Sequence, residues 1–368
     1  MDKKTHAFLC ALRKPTPKKI VYRTNTYEMK NNPTISIGCR RYIGCKAKLV
    51  DWIFDIINAE TSDIQSFCDI FAGTAIVSEN AIQKYGHVIV NDFLYSNQII
   101  YKGFWEEGNF CLSKLQEQID KYNSLREDTL SDNFFSKSFG GKYFENLIAR
   151  KIGFIRQDIE DKKSCLTDKE YFILLASLIY SIDKLANTLG HFEAYIKKEI
   201  KYRPLTLKLI DAKSCANVEI HQEDSNALAK HIKADLVYVD PPYNSRQYSR
   251  FYHVYETLVK WDNPELHGVA MKPKEENMSK YCSSKAPEAF ADLISNLKTK
   301  YIVVSYNNTY HSKSSSSKNK ISLEEITSIL SKKGDTKIFE HEHPFFNAGK
   351  TEFDNHKELL FVTKVHEI

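Results

Sequence analysis

The chain has 368 residues, a formal net charge of +5, 42% hydrophobic and 27% charged residues. That length buries a substantial core, as one large domain or as a core with a sizeable insertion, and excludes a small scaffold stapled by disulfides or a structural metal. The mild basic excess, with a pI near 8.5, permits a polyanionic partner without requiring one.

Residues 1–40 are basic and irregular, with Pro15, Pro17 and Pro33 discouraging helix, and are expected to form an N-terminal extension. Over 46–58 the apolar positions Leu49, Ile53, Phe54, Ile56 and Ile57 recur at helical spacing and predict an amphipathic helix. The run Ser66-Phe-Cys-Asp-Ile-Phe71 predicts a short strand, followed by a turn at Gly73, a helix over 75–85 and a buried strand over 87–92 ending in Asp92. This β-turn-α-β order opens a parallel α/β sheet. The pattern then lapses. Residues 101–210 show mostly helical periodicity, clearest over 143–158 and 170–186, with a Gly-Gly turn at 140 and 141.

Strand signals resume at 217–221, 235–239, 301–305, 336–340 and 358–363, with helices predicted at 227–232, 251–261, 287–297 and 323–330. Seven strands interleaved with helices, split by one long helical segment, predict a doubly wound α/β core carrying a second domain. The last two strands lie close enough to form an antiparallel hairpin at the sheet edge. The polar, basic run 312–320 predicts a mobile loop.

Eight cysteines without a C-x-x-C pair or a His at zinc-finger spacing read as reduced thiols, and no metal is expected. His341 and His343 read as strand residues, since no third ligand accompanies them. The opening residues lack the apolar core of a secretory signal. The longest apolar stretch, 171–186, is broken by Ser177, Ser181, Asp183 and Lys184, so no membrane span is expected and the cytoplasm is the default location.

Open α/β sheets bind ligands beyond the carboxyl ends of their strands. Four acids fall there: Asp69, Asp92, Asp224 and Asp240. A single acid in such a place is usually a turn or cap residue; four in register point to a ligand. Gly73 would let the backbone approach a cofactor closely, and an acid after the second strand is the usual partner of ribose hydroxyls. The turn has one glycine and no G-x-G-x-x-G, which disfavours a pyrophosphate and favours a nucleoside without phosphate, such as S-adenosylmethionine.

The stretch Asp240-Pro-Pro-Tyr243 carries the second half of the chemistry. Pro241 and Pro242 fix the chain and donate no hydrogen bond, leaving the Asp240 carboxylate and the Pro241 carbonyl as two converging acceptors. An amino group conjugated to a base ring needs both to become pyramidal and free its lone pair for a methyl group. Tyr243 would stack on the ring.

These segments resemble the motifs of the alpha-class, Dam-like DNA adenine methyltransferases. Arg41-Tyr-Ile-Gly-Cys-Lys46 is similar to their N-terminal cofactor motif, Asp69-Ile-Phe-Ala-Gly73 to the cofactor turn, Val90-Asn-Asp92 to the ribose-binding end and Asp240 to Tyr243 to the catalytic motif, over about 41–365. The first turn departs from the family pattern, ending Gly-Thr-Ala where a further glycine is common. The phrase Ala-Asn-Thr-Leu-Gly-His-Phe-Glu-Ala-Tyr-Ile-Lys over 186–197 resembles a subgroup of modification methylases from restriction systems.

The resemblance implies a Rossmann-like S-adenosylmethionine-dependent methyltransferase sheet, with 41–100 and 211–368 catalytic and 101–210 a mainly helical target-recognition insertion. It implies S-adenosyl-L-methionine as methyl donor, without a metal, held by Tyr42, Lys46, Asp69, Phe71, Gly73, Asp92, Asp224 and Asp240. It further implies double-stranded DNA as substrate and a cognate restriction endonuclease in the same system. Arg246, Tyr248 and Arg250, the insertion's Arg150, Lys151, Arg156 and basic run 197–203, and the lysines of 312–320 are the candidate DNA contacts. Two alternatives share the same two-acceptor turn: methylation of a cytosine 4-amino group, an RNA base or a protein glutamine amide, and a catalytically idle nucleic-acid-binding subunit.

Overall fold

The computed structural model describes residues 34–308, 319–342 and 357–366. The first 33 residues, the basic loop as far as residue 318, and His343 lie outside the described residues. Seven strands form one sheet: β1 Ser66–Asp69, β2 His87–Asn91, β3 Val218–His221, β4 Leu236–Val239, β5 Tyr301–Asn307, β6 Gly334–Glu342 and β7 Lys357–Val365. Their order is β3-β2-β1-β4-β5-β7-β6. The first five run parallel. β7 pairs antiparallel with both β5 and β6, so the edge hairpin is present with its second strand on the inside.

Alternation along the strands divides the interior. Phe67, Val88, Val90, Leu236, Tyr238 and Val303 face one buried cluster, while Cys68, Ile89, Val237, Val239, Ile302 and Val304 face another. In chain order the helices are α1 Val50–Glu60, α2 Ile76–Ile82, α3 Tyr95–Trp105, α4 Leu112–Ser124, α5 Phe134–Phe139, α6 Asn146–Asp161, α7 Asp168–Asp183, α8 Ser225–Leu228, α9 Tyr248–Phe251, α10 His253–Lys260, α11 Ala286–Asn296 and α12 Leu323–Ser331. The second cluster draws on α8, α11 and α12; the first on α1 to α7 and α10. Helices on both faces of a mostly parallel sheet make the doubly wound, Rossmann-like arrangement.

Three boundaries differ from expectation. The extension ends earlier than residue 40: Ile35 and Ile37 are buried, Ile35 pairs with Ile210, and Arg40 is buried beneath the sheet's carboxyl edge. A cut at residue 100 would divide α3, whose first N–H groups are accepted by Glu256 on α10, with Tyr95 N at 3.1 Å and Ser96 N at 2.9 Å. That cap comes from a distant segment, so no local signal announced it. The helical insertion, finally, has no core of its own. Ile148, Ile152, Leu174 and Leu178 belong to the same buried cluster as the sheet residues, and α7 packs along α3.

Candidate active site

The first turn after β1 is held from several sides. Gly73 has a left-handed φ of 54°, and its N–H donates to Asp92 Oδ2 at 3.0 Å. Its carbonyl accepts from Tyr101 Oη at 2.7 Å and from Arg40 Nη2 at 3.3 Å. Arg40 Nη2 also donates to Asn97 Oδ1 at 2.7 Å, and Asn97 Nδ2 reaches Tyr42 Oη at 3.4 Å. A Cβ on Gly73 would meet Tyr42 Cε1 at 3.2 Å. Ala75, where the family pattern often has glycine, itself adopts φ 58°, a conformation that disfavours a side chain by about 1 kcal/mol.

Asp92 Oδ1 accepts from Leu94 N at 2.9 Å, so both oxygens hold backbone while retaining lone pairs for a ligand. Burial raises its proton affinity against those donors. Asp69, at the end of β1, accepts Ser78 Oγ on Oδ2 at 2.7 Å and is left with Oδ1 buried and unpartnered. Its carboxyl is pushed up to about 7, by burial first, then by the Asp240 and Asp92 charges. Asp224 caps α8, accepting Asn226 N at 3.0 Å and Ala227 N at 3.2 Å.

At β4 the chain enters the Pro-Pro turn. Tyr243 Oη donates to Asp240 Oδ1, and Lys46 Nζ contacts Tyr243 Oη and lies 3.2 Å from the same Asp240 oxygen. Lys46 is only 5% exposed. Burial would lower its pKa, but the Asp240 and Glu358 carboxylates outweigh that and hold it above the ordinary range. Asp240 is itself shifted upward by burial, with Lys46 opposing. The Tyr243 ring stands edge-on to Tyr306, centroids 5.0 Å apart.

These pieces line one cleft with about 920 Å³ of empty space, and every residue assigned from sequence to cofactor or catalysis is on its wall: Tyr42, Lys46, Asp69, Phe71, Gly73, Asp92, Asp224 and Asp240 to Tyr243. The donor set suits a cationic nucleoside. An unpartnered buried carboxylate oxygen can accept a donor or face a positive charge, a Cβ at Gly73 would be strained and crowd Tyr42, and flat walls are supplied by Tyr42 and by Phe71, which packs at 5.1 Å against Tyr281. Among the described residues no group of three or more His, Cys, Asp or Glu is placed to hold a metal ion.

The candidate DNA contacts separate. Tyr248 is a wall of the cleft, its ring 5.4 Å from Tyr42 and its hydroxyl donating to Ile43 O at 3.2 Å. Arg246 and Arg250 are not on the cleft wall; Arg250 Nη1 donates to Pro273 O at 2.7 Å. In the insertion Arg150 pairs with Asp132 at 2.7 Å at the surface. Arg156 is fully buried, donating to Leu258 O and Val259 O at the end of α10, and Lys151 is buried on Leu125 O and Glu127. Both are corrections: a basic residue that satisfies helix-end carbonyls inside a core cannot reach a phosphate. Sequence reasoning missed Arg40, Asn97, Tyr101, Tyr252 and Glu358. Tyr252, four residues after Tyr248 and stacked on Tyr42 at 4.6 Å, could have been found from helical spacing, and Arg40 from its place directly before the Arg41 to Lys46 motif; the others approach from other segments.

A doubly wound sheet with a cleft over its carboxyl edge, walled by Asp69, Gly73, Asp92 and the Asp240 to Tyr243 turn, fits an enzyme of the amino-methyltransferase class. Residues 42–329 match the family described as D12 class N6 adenine-specific DNA methyltransferase. The chain belongs to that family and is an adenine-specific DNA methyltransferase. It is 32% identical to the type II methyltransferase M.NlaIII of Neisseria lactamica, covering 86% of this chain and 95% of that protein. It is 30% identical to M.CviAII of Paramecium bursaria Chlorella virus 1, covering 89% and 98%. M.FokI of Planomicrobium okeanokoites is 35% identical over 80% of this chain and 47% of its own length. Among the described residues no helix is long and apolar enough to cross a membrane.

Proposed function

We propose that the cleft takes S-adenosyl-L-methionine as its methyl donor and acts on an adenine turned out of duplex DNA. The observation that carries this reading is the convergence of Asp69, Gly73 and Asp92 with the Asp240 to Tyr243 turn on one wall system. When bound, S-adenosylmethionine supplies a methyl carbon activated by a neighbouring sulfonium. Asp92 accepts ribose hydroxyls with the lone pairs its two backbone donors leave, and Asp69 Oδ1 faces positive charge. Tyr42 and Phe71 bracket the flat ring.

On the target side, both contacts to the Asp240 carboxylate fall on Oδ1. Oδ2 and the Pro241 carbonyl then accept the two N–H groups of the 6-amino nitrogen, which loses conjugation and gains nucleophilicity. The proton released after transfer passes to Asp240 and on to solvent. Inside a duplex the amino group is paired and both faces are stacked, so the base must rotate out, at a cost of a few kcal/mol. Stacking on Tyr243 returns about 1–3 kcal/mol.

Sequence reading belongs to the helical insertion, because the sheet termini are occupied with cofactor and chemistry. Arg246, Arg250 and the basic run 197–203 provide phosphate contacts. Relatives named as type II methyltransferases support a role in protecting DNA from a cognate restriction endonuclease, in the cytoplasm. Incubation with duplex DNA and S-adenosylmethionine, followed by sequencing that resolves N6-methyladenine, tests the reading. Product confined to cytosine, or none on any DNA, overturns it.

A further inference from the structure

Arg40 stands just outside the 42–329 span of the family match, yet it is 5% exposed and bonded to the turn after β1. One of its nitrogens, Nη2, donates both to Gly73 O at 3.3 Å and to Asn97 Oδ1 at 2.7 Å. Both acceptors are neutral. The guanidinium lies over the Tyr42 ring, 4.8 Å from its centroid, and its Nε is buried without a hydrogen-bond partner. Burying a cation against neutral acceptors costs free energy, which points to a task beyond packing. The contacts show what it holds. Gly73, at a left-handed φ of 54°, is tied through its N–H to Asp92 Oδ2 and through its carbonyl to Arg40 and Tyr101. Because Asn97 gives its Oδ1 to Arg40, its amide nitrogen is turned toward Tyr42 Oη, 3.4 Å away, and toward Asp92, whose charged form it favours.

We propose that Arg40 is a positioning residue for the methyl donor: through Gly73 and Asn97 it fixes the turn, the Tyr42 ring and the Asp92 carboxylate in the arrangement that receives the nucleoside. The proposal rests on the cofactor reading above. Three walls of the cleft, from three separate segments, are joined at one nitrogen, so its removal disturbs all three together. Its charge acts in the same direction, since a nearby cation opposes the effect of burial and keeps Asp92 ionised. Arg40 itself is not on the cleft wall and touches no reacting atom; it acts through residues that are on it.

The test uses the full-length chain. Calorimetry measures binding of S-adenosylmethionine and of S-adenosylhomocysteine, which shares the nucleoside but lacks the sulfonium charge; duplex DNA binding and turnover at saturating S-adenosylmethionine are measured beside it. Arg40→Met should weaken both cofactor forms by about tenfold and raise KM for S-adenosylmethionine in step, while kcat stays within about threefold and DNA affinity within about twofold. Arg40→Lys offers one ammonium to the two acceptors that a single arginine nitrogen serves, and should bind both forms within about threefold of wild type. A Met variant with wild-type affinity for both forms overturns the assignment. So does one that loses cofactor affinity, DNA affinity and kcat alike, one that loses S-adenosylmethionine alone, or a Lys variant no better than the Met variant. Where Arg40→Met is recovered unfolded, Asn97→Ala decides: loss of about threefold or more for both forms with DNA affinity retained supports the assignment, and wild-type affinity overturns it. A wild-type chain that binds neither form would overturn the cofactor reading itself, an outcome distinct from any effect of the variants.

Discussion

Asp69→Asn probes the electrostatics of the cleft. Asp69 is 1% exposed, with one carboxylate oxygen on Ser78 and the other unpartnered, and its carboxyl is raised from 3.8 to about 7. Because the folded value lies above the unfolded one, the native chain binds more protons between these limits. Stability therefore falls as pH rises through that window and is flat above it. A rise from 3.8 to about 7 costs about 4 kcal/mol at pH 8 and about 3 kcal/mol at pH 6. Asparagine removes this ionisation, but its amide nitrogen takes the place of the unpartnered oxygen and costs about 1–3 kcal/mol. The variant without ligand should thus exceed the wild type by about 1–3 kcal/mol at pH 8, with the advantage about 1.4 kcal/mol smaller at pH 6. The difference between the two pH values does not depend on the amide's own cost, which makes it the decisive quantity. Denaturant unfolding at both pH values measures it. A stability difference that is the same at pH 6 and pH 8 refutes the reasoning. Cofactor affinity should fall by about tenfold as the negative charge is lost.

Gly73→Ala forces a side chain into a left-handed backbone and against Tyr42, so stability should drop by about 1 kcal/mol and cofactor affinity should weaken; calorimetry showing full affinity would exclude a cofactor at this turn. Tyr243→Ala should reduce turnover by about tenfold while DNA affinity changes little, because phosphate contacts supply most binding; equal loss of both would remove the stacking role. Arg156→Ala should cost about 3–5 kcal/mol by stranding the carbonyls of α10, without altering the methylated sequence, as thermal unfolding and sequencing would show. Exchanging residues 112–209 for the corresponding segment of a relative should change the sequence methylated; retention of the original site would move recognition to the segment after Tyr243.

The central strands β1, β2, β4 and β5 were legible because they are apolar and bounded by turn residues, and all seven appear within a few residues of their predicted limits. The helices over 143–158 and 170–186 were legible from their helical periodicity, and the second of them opens on a reciprocal cap between Thr167 and Glu170. α3 was not, since Glu256 satisfies its first turn from another helix. The independence of the insertion was misjudged because helical periodicity reports that a face is apolar but not what covers it. Here Ile152 and Leu174 join the cluster that also buries Phe67 and Tyr238.

In the cleft, what could be read were residues whose role is written in their own backbone surroundings: a glycine in a strand-to-helix turn, acids at strand ends, prolines fixing two acceptors. What escaped were partners defined only by distance in space. Composition marked the basic residues as a group, yet burial sorts them into opposite fates. Arg156 is consumed by the end of a helix, Lys46 by two carboxylates, and Arg40 by the carbonyl of Gly73.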